Sequence, residues 1–232
     1  MDIRGLQKIS LIDFPGGICS TIFVGGCNLT CRFCYNKDLV LNPEALPLIS
    51  TGEVFNFLKV KASLLDGICI SGGEPTLQED LPDFLVEIKK LGLKVKLDTN
   101  GTKPEVICKL LEENILDYIA VDIKGPLPKY SFIAGNNVNL SKVQETITLL
   151  KDNPLQQEFR TTVIPGLLKE EDIFSIAEEI AGCRRYVLQQ FHPKQTMIDP
   201  ELLSFKPFSR EKVAEIACSC REYVEKVQLR GF

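Results

Sequence analysis

Three cysteines, Cys27, Cys31 and Cys34, lie close together in the stretch "GGCNLTCRFCYN" (25–36). Thiolate sulfur is a soft ligand that suits zinc and iron–sulfur centres. A structural zinc site needs four ligands, usually from two paired clusters, and the other six cysteines form no second CxxC pair. A zinc site with a remote fourth ligand remains an alternative. The spacing favours a 4Fe-4S cluster whose fourth iron has no protein ligand and offers a binding position to a substrate or cofactor.

The composition indicates a globular protein of a reducing compartment. The chain has 232 residues, of which 44% are apolar, and a formal net charge of −4 with lysines interspersed among acids, so a nucleic-acid partner is not expected. No cationic and apolar leader opens the chain and no run reaches about 18 apolar residues, which predicts a cytoplasmic protein without a membrane partner. Nine cysteines in a reducing compartment favour metal ligation over disulfides.

Short β-rich runs alternate with helix-like stretches along the whole chain. Six runs are predicted as strands: 18–24, 67–71, 94–98, 118–123, 159–164 and 185–191. A seventh candidate, "KVQL", lies near the end of the chain. The βαβα order predicts an α/β fold with a parallel sheet, because parallel strands need a crossover helix. A closed eight-unit barrel typically needs about 250 residues, so we expect an open, partial barrel of six β/α units, with a doubly wound sheet as the alternative.

No linker rich in proline, glycine or serine divides the chain, so a single domain over residues 1–232 is predicted. It comprises an N-terminal extension with an extra strand or turn (1–17), the six-unit core (18–192) and a C-terminal helix with a possible last strand (193–232). Two capping boxes are expected at helix starts, one formed by Ser50 with Glu53 and the other by Thr102 with Glu105.

Unusual polar motifs follow the predicted strands. They are the cysteine trio after the first strand, then "SGGEPTL" (71–77), "DTNG" (98–101), "DIKGP" (122–126), "IPG" (164–166) and "QQFHP" (189–193). In parallel α/β folds the ligand site lies at the carboxyl ends of the strands. The sequence therefore predicts that these motifs converge on one mouth.

The stretch "CNLTCRFC" is the CxxxCxxC pattern, with an aromatic residue before the last cysteine, of the radical S-adenosylmethionine (SAM) superfamily. Together with "GGEP", "DTNG", "DIK" and the opening "ISLIDFPG", the whole chain resembles the activating enzymes of glycyl radical enzymes. The resemblance is strongest to the activating proteins of anaerobic ribonucleoside-triphosphate reductases. One departure is Tyr35, which stands where many such activases have histidine.

This resemblance implies an oxidoreductase with a 4Fe-4S cluster, held by Cys27, Cys31 and Cys34, and SAM chelated to the fourth iron. An electron from the cluster would cleave SAM into methionine and a 5′-deoxyadenosyl radical, with no catalytic residue beyond the two cofactors. The radical would take a hydrogen atom from a glycine of a large partner, an anaerobic ribonucleotide reductase. Flavodoxin or ferredoxin would donate the electron.

The resemblance also implies a SAM site at the strand ends. Gly72, Gly73 and Glu74 would receive the SAM amino group, because glycine permits close backbone approach and a carboxylate accepts from an ammonium. Lys124 would meet the SAM carboxylate. Without the resemblance, the "GGEP" stretch is equally well explained as a plain strand-to-helix turn.

The remaining implied residues are acidic or polar groups at the ends of later strands. Asp98, Thr99 and Asp122 would organise SAM or a bound monovalent cation. His192, the only histidine, would approach the nucleoside part of SAM. Taken singly, these are also ordinary strand-end residues that accept turn hydrogen bonds or pack on the surface.

Other functions stay open at this point. They are a radical SAM enzyme acting on a small molecule such as a pterin-derived heterocycle, an activase of another glycyl radical enzyme such as pyruvate formate-lyase, and a non-enzymatic electron carrier or zinc protein. Arg32, beside the cysteines, tunes the cluster, meets a partner or is simply solvated. Cys218 and Cys220 are expected to be buried as small hydrophobic residues.

Overall fold

The computed structural model describes residues 1–135, 138–151 and 153–232, in which strands and helices alternate. The strands are β1 (Ile3–Ser10), β2 (Cys19–Val24), β3 (Gly67–Gly72), β4 (Lys94–Thr99), β5 (Tyr118–Asp122), β6 (Gln156–Val163), β7 (Tyr186–Gln190) and β8 (Val227–Arg230). The helices are α1 (Lys37–Leu41), α2 (Thr51–Lys61), α3 (Leu81–Lys90), α4 (Pro104–Glu112), α5 (Tyr130–Ala134), α6 (Leu140–Lys151), α7 (Glu170–Glu179) and α8 (Arg210–Cys220). Within these described ranges, no helix is long and apolar enough to cross a membrane.

The strands form an open sheet in which they follow one another in chain order from β1 to β8. Strands β2 to β4 pair in parallel, and so do β6 to β8. This confirms the predicted α/β fold with an open, parallel sheet, and every one of the six predicted strands is present. The predicted "KVQL" candidate forms β8, one residue further along.

The sheet has eight strands, which are the six predicted for the core, the "KVQL" candidate and one additional strand at the start of the chain. The additional strand at the start is β1, which pairs antiparallel with β2 and begins six residues before the "ISLIDFPGG" motif expected to contain it. Its register is interrupted twice, and Gln7, Lys8 and Ile9 are exposed, as is common in an edge strand. An irregular pattern of this kind gives little periodic signal in the sequence.

The described residues cluster into two compact units. The N-terminal unit comprises Met1–Asn28, Asp38–Thr99 and Lys103–Ile119, and the C-terminal unit comprises Leu29–Lys37, Asn100–Thr102 and Ala120–Phe232. The first has a core of aliphatic side chains from its strands and helices, among them Ile22, Leu58, Ile68, Ile70 and Leu81. The second buries large aromatic side chains, including Tyr130, Phe159, Tyr186 and Phe191. The single domain predicted from the sequence stays a prediction.

One of the two predicted capping boxes is present. The Ser50 side chain accepts a hydrogen bond from the Glu53 amide, and the Glu53 carboxylate accepts from the Ser50 amide, at the start of α2. The box expected from Thr102 is wrong, because the Thr102 amide and hydroxyl donate to Asn100 Oδ1 at 3.0 and 2.7 Å and α4 begins only at Pro104. A local Asx turn therefore uses the groups that the cap would need.

The backbone at the end of β3 packs directly against the backbone of the segment that follows β2. The Gly73 amide donates to the Val24 carbonyl at 2.8 Å, and the Glu74 amide donates to the Gly26 carbonyl at 2.8 Å. Gly72 has a φ of +112°, and a Cβ on Gly73 would lie 1.9 Å from the Gly26 carbonyl oxygen. Both positions therefore require glycine, which alone permits this conformation and this close approach.

We predict that Gly73→Ala destabilises the protein by about 2 to 3 kcal/mol, because the added methyl group overlaps a backbone atom that cannot rotate away. The measurement is the free energy of unfolding from urea titration of the metal-free protein. Gly52→Ala is the matched control: it lies in the exposed first turn of α2, where a Cβ would meet only Ser50 Oγ at 3.9 Å. Equal stability of the two variants would contradict this description of the turn.

Candidate active site

Glu74, in the N-terminal unit, lies in a closed network of hydrogen bonds. Its side chain is buried, with 1% of the residue exposed. Glu74 Oε1 accepts from the Thr76 amide at 3.1 Å, from Thr76 Oγ1 at 2.5 Å and from Thr99 Oγ1 at 2.7 Å. The structure thus brings two residues of the predicted site together, since Glu74 ties the turn after β3 to the end of β4. The role of Thr76 as a further donor was not apparent from the sequence.

Asp98, at the end of β4, is ion-paired with Lys96 of the same strand. Asp98 Oδ2 also accepts from Ser71 Oγ at 3.4 Å. Lys96 is buried, with its Nζ 3.5 Å from Cys69 Sγ and 5.9 Å from the centre of the Tyr118 ring. Lys96 is not among the site residues predicted from the sequence. The available signal was a lysine two residues before an aspartate in a strand, since residues i and i+2 share a face.

Asp122 and Lys124 lie together at the end of β5 in the C-terminal unit. Lys124 Nζ is 3.3 Å from Asp122 Oδ2, and Arg160 Nε donates to Asp122 Oδ1 at 2.7 Å. Burial would raise the pKa of Asp122, but Arg160 and Lys124 together hold it well below its ordinary value. Burial would lower the pKa of Lys124, but the Asp122 carboxylate and the nearby thiols raise it. Both groups are therefore charged at neutral pH.

Arg160, which was not predicted from the sequence, belongs to a longer row of charged side chains. Its Nη1 is 3.9 Å from Glu158 Oε1, and Glu158 accepts a bidentate pair of hydrogen bonds from Arg230 at 2.8 and 2.9 Å. The row from Arg230 through Glu158, Arg160 and Asp122 to Lys124 alternates in sign. Buried charges are tolerated when each is paired in this way. The signal in the sequence was the spacing of Glu158 and Arg160, since residues i and i+2 of a strand share a face.

Two of the three predicted metal ligands, Cys31 and Cys34, lie in an irregular loop of the C-terminal unit. The Cys34 amide donates to the Cys31 carbonyl at 2.9 Å, and the amide of Thr30 donates to the carbonyl of Ala134 in α5 at 3.0 Å. Burial raises the pKa of the Cys31 thiol, an effect that the Lys124 ammonium opposes. Burial also raises the pKa of Cys34, opposed by the Asn36 amide and by Lys124. The pKa of both thiols is therefore raised, and the Lys124 ammonium limits that rise.

Arg32, between these cysteines, is held in place by its neighbours. Its guanidinium lies 2.6 Å from Asp199 Oδ2 and 3.5 Å from Glu201 Oε2, and it stacks 4.6 Å from the centre of the Phe132 ring. The side chain is 23% exposed. The alternative of a solvated arginine is therefore wrong, since the charge is paired and covers an aromatic ring.

His192 follows β7 and is exposed, but both its backbone and its ring are tethered. The His192 amide donates to Tyr35 Oη at 2.9 Å, and the ring nitrogen Nε2 lies 3.0 Å from the Gly231 carbonyl oxygen. Burial raises the pKa of Tyr35, so its hydroxyl is neutral. Tyr35, the departure noted in the sequence, thus anchors the segment that contains the only histidine.

The remaining predicted ligand, Cys27, is partly exposed in the N-terminal unit. All nine cysteines fall in the described part of the chain and none forms a disulfide. Over those same ranges, no three His, Cys, Asp or Glu side chains are grouped so that they could hold a metal ion. The assignment of the three cysteines as cluster ligands therefore rests on their spacing in the sequence and on the chemistry of thiolates. Cys220 is buried as expected, but Cys218 is exposed, because the two lie on different sides of α8.

Comparison with known proteins places these residues in a family. Residues 21–179 match the model of the radical SAM superfamily. The chain is 35% identical to a Methanocaldococcus jannaschii protein named "Putative glycyl-radical enzyme activating enzyme", over 98% of this chain and 95% of that protein. It is 31% identical to the GTP 3′,8-cyclase of Aquifex aeolicus, over 65% of this chain and 48% of the cyclase, so it spans only about half of that relative.

A solved structure shows the same fold. The domain of pyruvate-formate lyase-activating enzyme from Bacteroides vulgatus superposes with a TM-score of 0.58 at 19% identity, over 72% of this chain and 99% of that domain. The family match covers well over half of the chain. The protein is therefore an enzyme of the radical SAM superfamily, whose members use a 4Fe-4S cluster and S-adenosylmethionine.

Proposed function

We propose that this radical SAM enzyme is an activase that installs a glycyl radical on a separate large enzyme, an anaerobic ribonucleoside-triphosphate reductase. The observation that carries the proposal is the 35% identity, along nearly the full length of both chains, to the Methanocaldococcus jannaschii protein named as an activating enzyme. The choice of reductase rests on the motifs, above all the opening "ISLIDFPG". The electron donor is proposed to be flavodoxin or ferredoxin.

The cluster is proposed to bind to Cys27, Cys31 and Cys34. Three thiols suit iron, and the Lys124 ammonium favours the thiolate form of Cys31 and Cys34, which metal binding requires. When bound and reduced, the cluster would supply the electron for the cleavage of SAM into methionine and a 5′-deoxyadenosyl radical. The protein contributes position and exclusion of water.

The amino group of SAM is proposed to bind at Gly72, Gly73 and Glu74. The two glycines let the turn pack closely on the chain after β2, and hydrogen bonds to that chain fix the backbone of the turn. Glu74 Oε1 is already engaged by three donors. We therefore assign the Glu74 carboxylate, with Thr99, to holding the turn, so that backbone carbonyls of the turn accept from the ammonium.

The carboxylate of SAM is proposed to bind Lys124. Asp122 keeps Lys124 protonated, and Arg160 binds the other oxygen of Asp122, so the lysine is oriented by a partner that is itself held. His192 is proposed to approach the nucleoside part of SAM. The His192 amide donates to Tyr35 Oη, and this bond fixes the position of the His192 backbone after β7.

A small-molecule substrate is the second candidate, favoured by the identity to the GTP 3′,8-cyclase. The activase relative matches along 95% of its length, whereas the cyclase matches along 48%. Half of the cyclase thus has no counterpart in this alignment. That difference is the reason for placing the activase first, and GTP serves as the competing substrate in the experiment below.

We expect the anaerobically reconstituted protein to hold about four irons per chain and Cys31→Ser to lose them, because an alcohol does not replace a thiolate as an iron ligand. The measurement is iron and sulfide content with the visible absorption spectrum. Cys218→Ser is the matched control, since it changes an exposed cysteine outside the trio. Loss of iron from the control, with retention by Cys31→Ser, would contradict the ligand assignment.

The activase proposal is tested by mixing the reduced holoenzyme, SAM and the candidate reductase without oxygen and recording the electron paramagnetic resonance spectrum. A glycine-centred doublet that requires both SAM and reductant is expected. The radical must come within van der Waals contact of the glycine, since an error of about 1 Å costs on the order of a hundredfold in rate. Consumption of SAM with conversion of GTP, and no protein radical, would move the enzyme to the small-molecule class.

A further inference from the structure

Each acidic side chain that the resemblance assigned to SAM or to a monovalent cation already bonds a donor of the protein. Asp98 binds Lys96 and Ser71, Asp122 binds Arg160 and Lys124, and Glu74 Oε1 accepts from three donors. A bound alkali cation needs several oxygen ligands and a negative charge to offset its own. The residues present therefore do not fit such a cation.

The misfit to a bound cation is clearest at Asp98, because its ion-pair partner, Lys96, is buried within the sheet. Only 1% of Lys96 is exposed, and its ammonium lies among three neighbouring strands, near Cys69 of β3, Asp98 of β4 and Tyr118 of β5. An ammonium buried to this degree is stable in its charged form when it is ion-paired. Asp98 thus provides the carboxylate that keeps Lys96 charged.

We infer that Lys96 is a built-in cation, which neutralises Asp98 at the SAM site and makes SAM binding independent of added monovalent cations. The inference rests on the proposed placement of Asp98 at the SAM site. A second cation at Asp98 would lie close to the Lys96 ammonium, and like charges repel strongly where solvent is excluded. Lys96 is a positioning residue here, since it acts through Asp98.

The neighbouring carboxylate supports the same inference. Glu74, linked to β4 through Thr99 Oγ1, is 1% exposed and is satisfied by hydroxyl and amide donors, without a cation. Thr99 Oγ1 donates its proton to Glu74 in this network. The end of β4 thus presents two adjacent side chains, Asp98 and Thr99, that are each bonded to another side chain of the N-terminal unit.

The first test is equilibrium dialysis of labelled SAM against the reconstituted holoenzyme in potassium, sodium and choline chloride at equal ionic strength. The dissociation constants are expected to agree within about twofold, because the charge of Asp98 is met by Lys96 in all three salts. Binding that is about tenfold tighter in potassium or sodium than in choline would overturn the inference.

The second test removes the internal charge. Lys96→Met is expected to weaken SAM binding about tenfold in choline, because an unpaired Asp98 carboxylate repels the carboxylate of SAM, and potassium or sodium should recover most of the loss. Lys96→Arg keeps the charge and should stay insensitive to the salt. A purely structural role for Lys96 would give a loss that no cation restores, which would overturn the inference, as would unchanged affinity of Lys96→Met in all three salts.

The double variant Lys96→Met with Asp98→Asn removes both charges and leaves no buried carboxylate unpaired. It is expected to fold even where the single variant does not, and to bind SAM equally in the three salts. A cation response in the double variant would overturn the inference. The readout throughout is SAM binding, so a wrong choice of glycyl radical partner would leave these results unchanged, whereas absence of SAM binding by the wild-type holoenzyme would overturn the SAM site itself.

Discussion

The structure at the strand ends depends on the pairing of partly buried carboxylates with donors of the protein. Removal of one partner from such a pair is destabilising, because the other charge is left partly desolvated and uncompensated. Arg160 holds Asp122, and Lys96 holds Asp98, so two sequence motifs that look like free acidic ligands are instead fixed in orientation and charge. This pairing decides which groups are available to a cofactor.

The consequence for chemistry is that positive charge stays available beside the cysteines of the C-terminal unit. Lys124 remains protonated because Asp122 lies 3.3 Å away, and its charge opposes the rise in pKa that burial causes at the Cys31 and Cys34 thiols. The row of charges that supports Asp122 extends to Arg230 in β8. The last strand of the sheet therefore contributes to the electrostatics of the proposed SAM site, although no motif in the sequence points to it.

Sequence reasoning was most successful where a pattern is local. The six core strands, the α/β class and the box of Ser50 with Glu53 follow from periodicity and from residues three apart, and the structure contains all of them. The Thr102 cap failed because Asn100 competes for the same donors over the same few residues. Strand β1 was misplaced because an irregular edge strand has no clear alternation to detect. The convergence of all strand ends on one mouth stays a prediction.

The sequence by itself determined the chemistry that the protein can carry out. Three cysteines at the CxxxCxxC spacing predict a cluster with an open iron, and that pattern leads to the superfamily that the comparisons establish. Only the tertiary structure decided the state of the other polar residues. Lys96 and Asp98 face the same side of one strand, and Arg160 reaches Asp122 from 38 residues away. Spacing along the chain selects ligands for a metal, but the charge and orientation of a side chain depend on neighbours that only folding brings within reach.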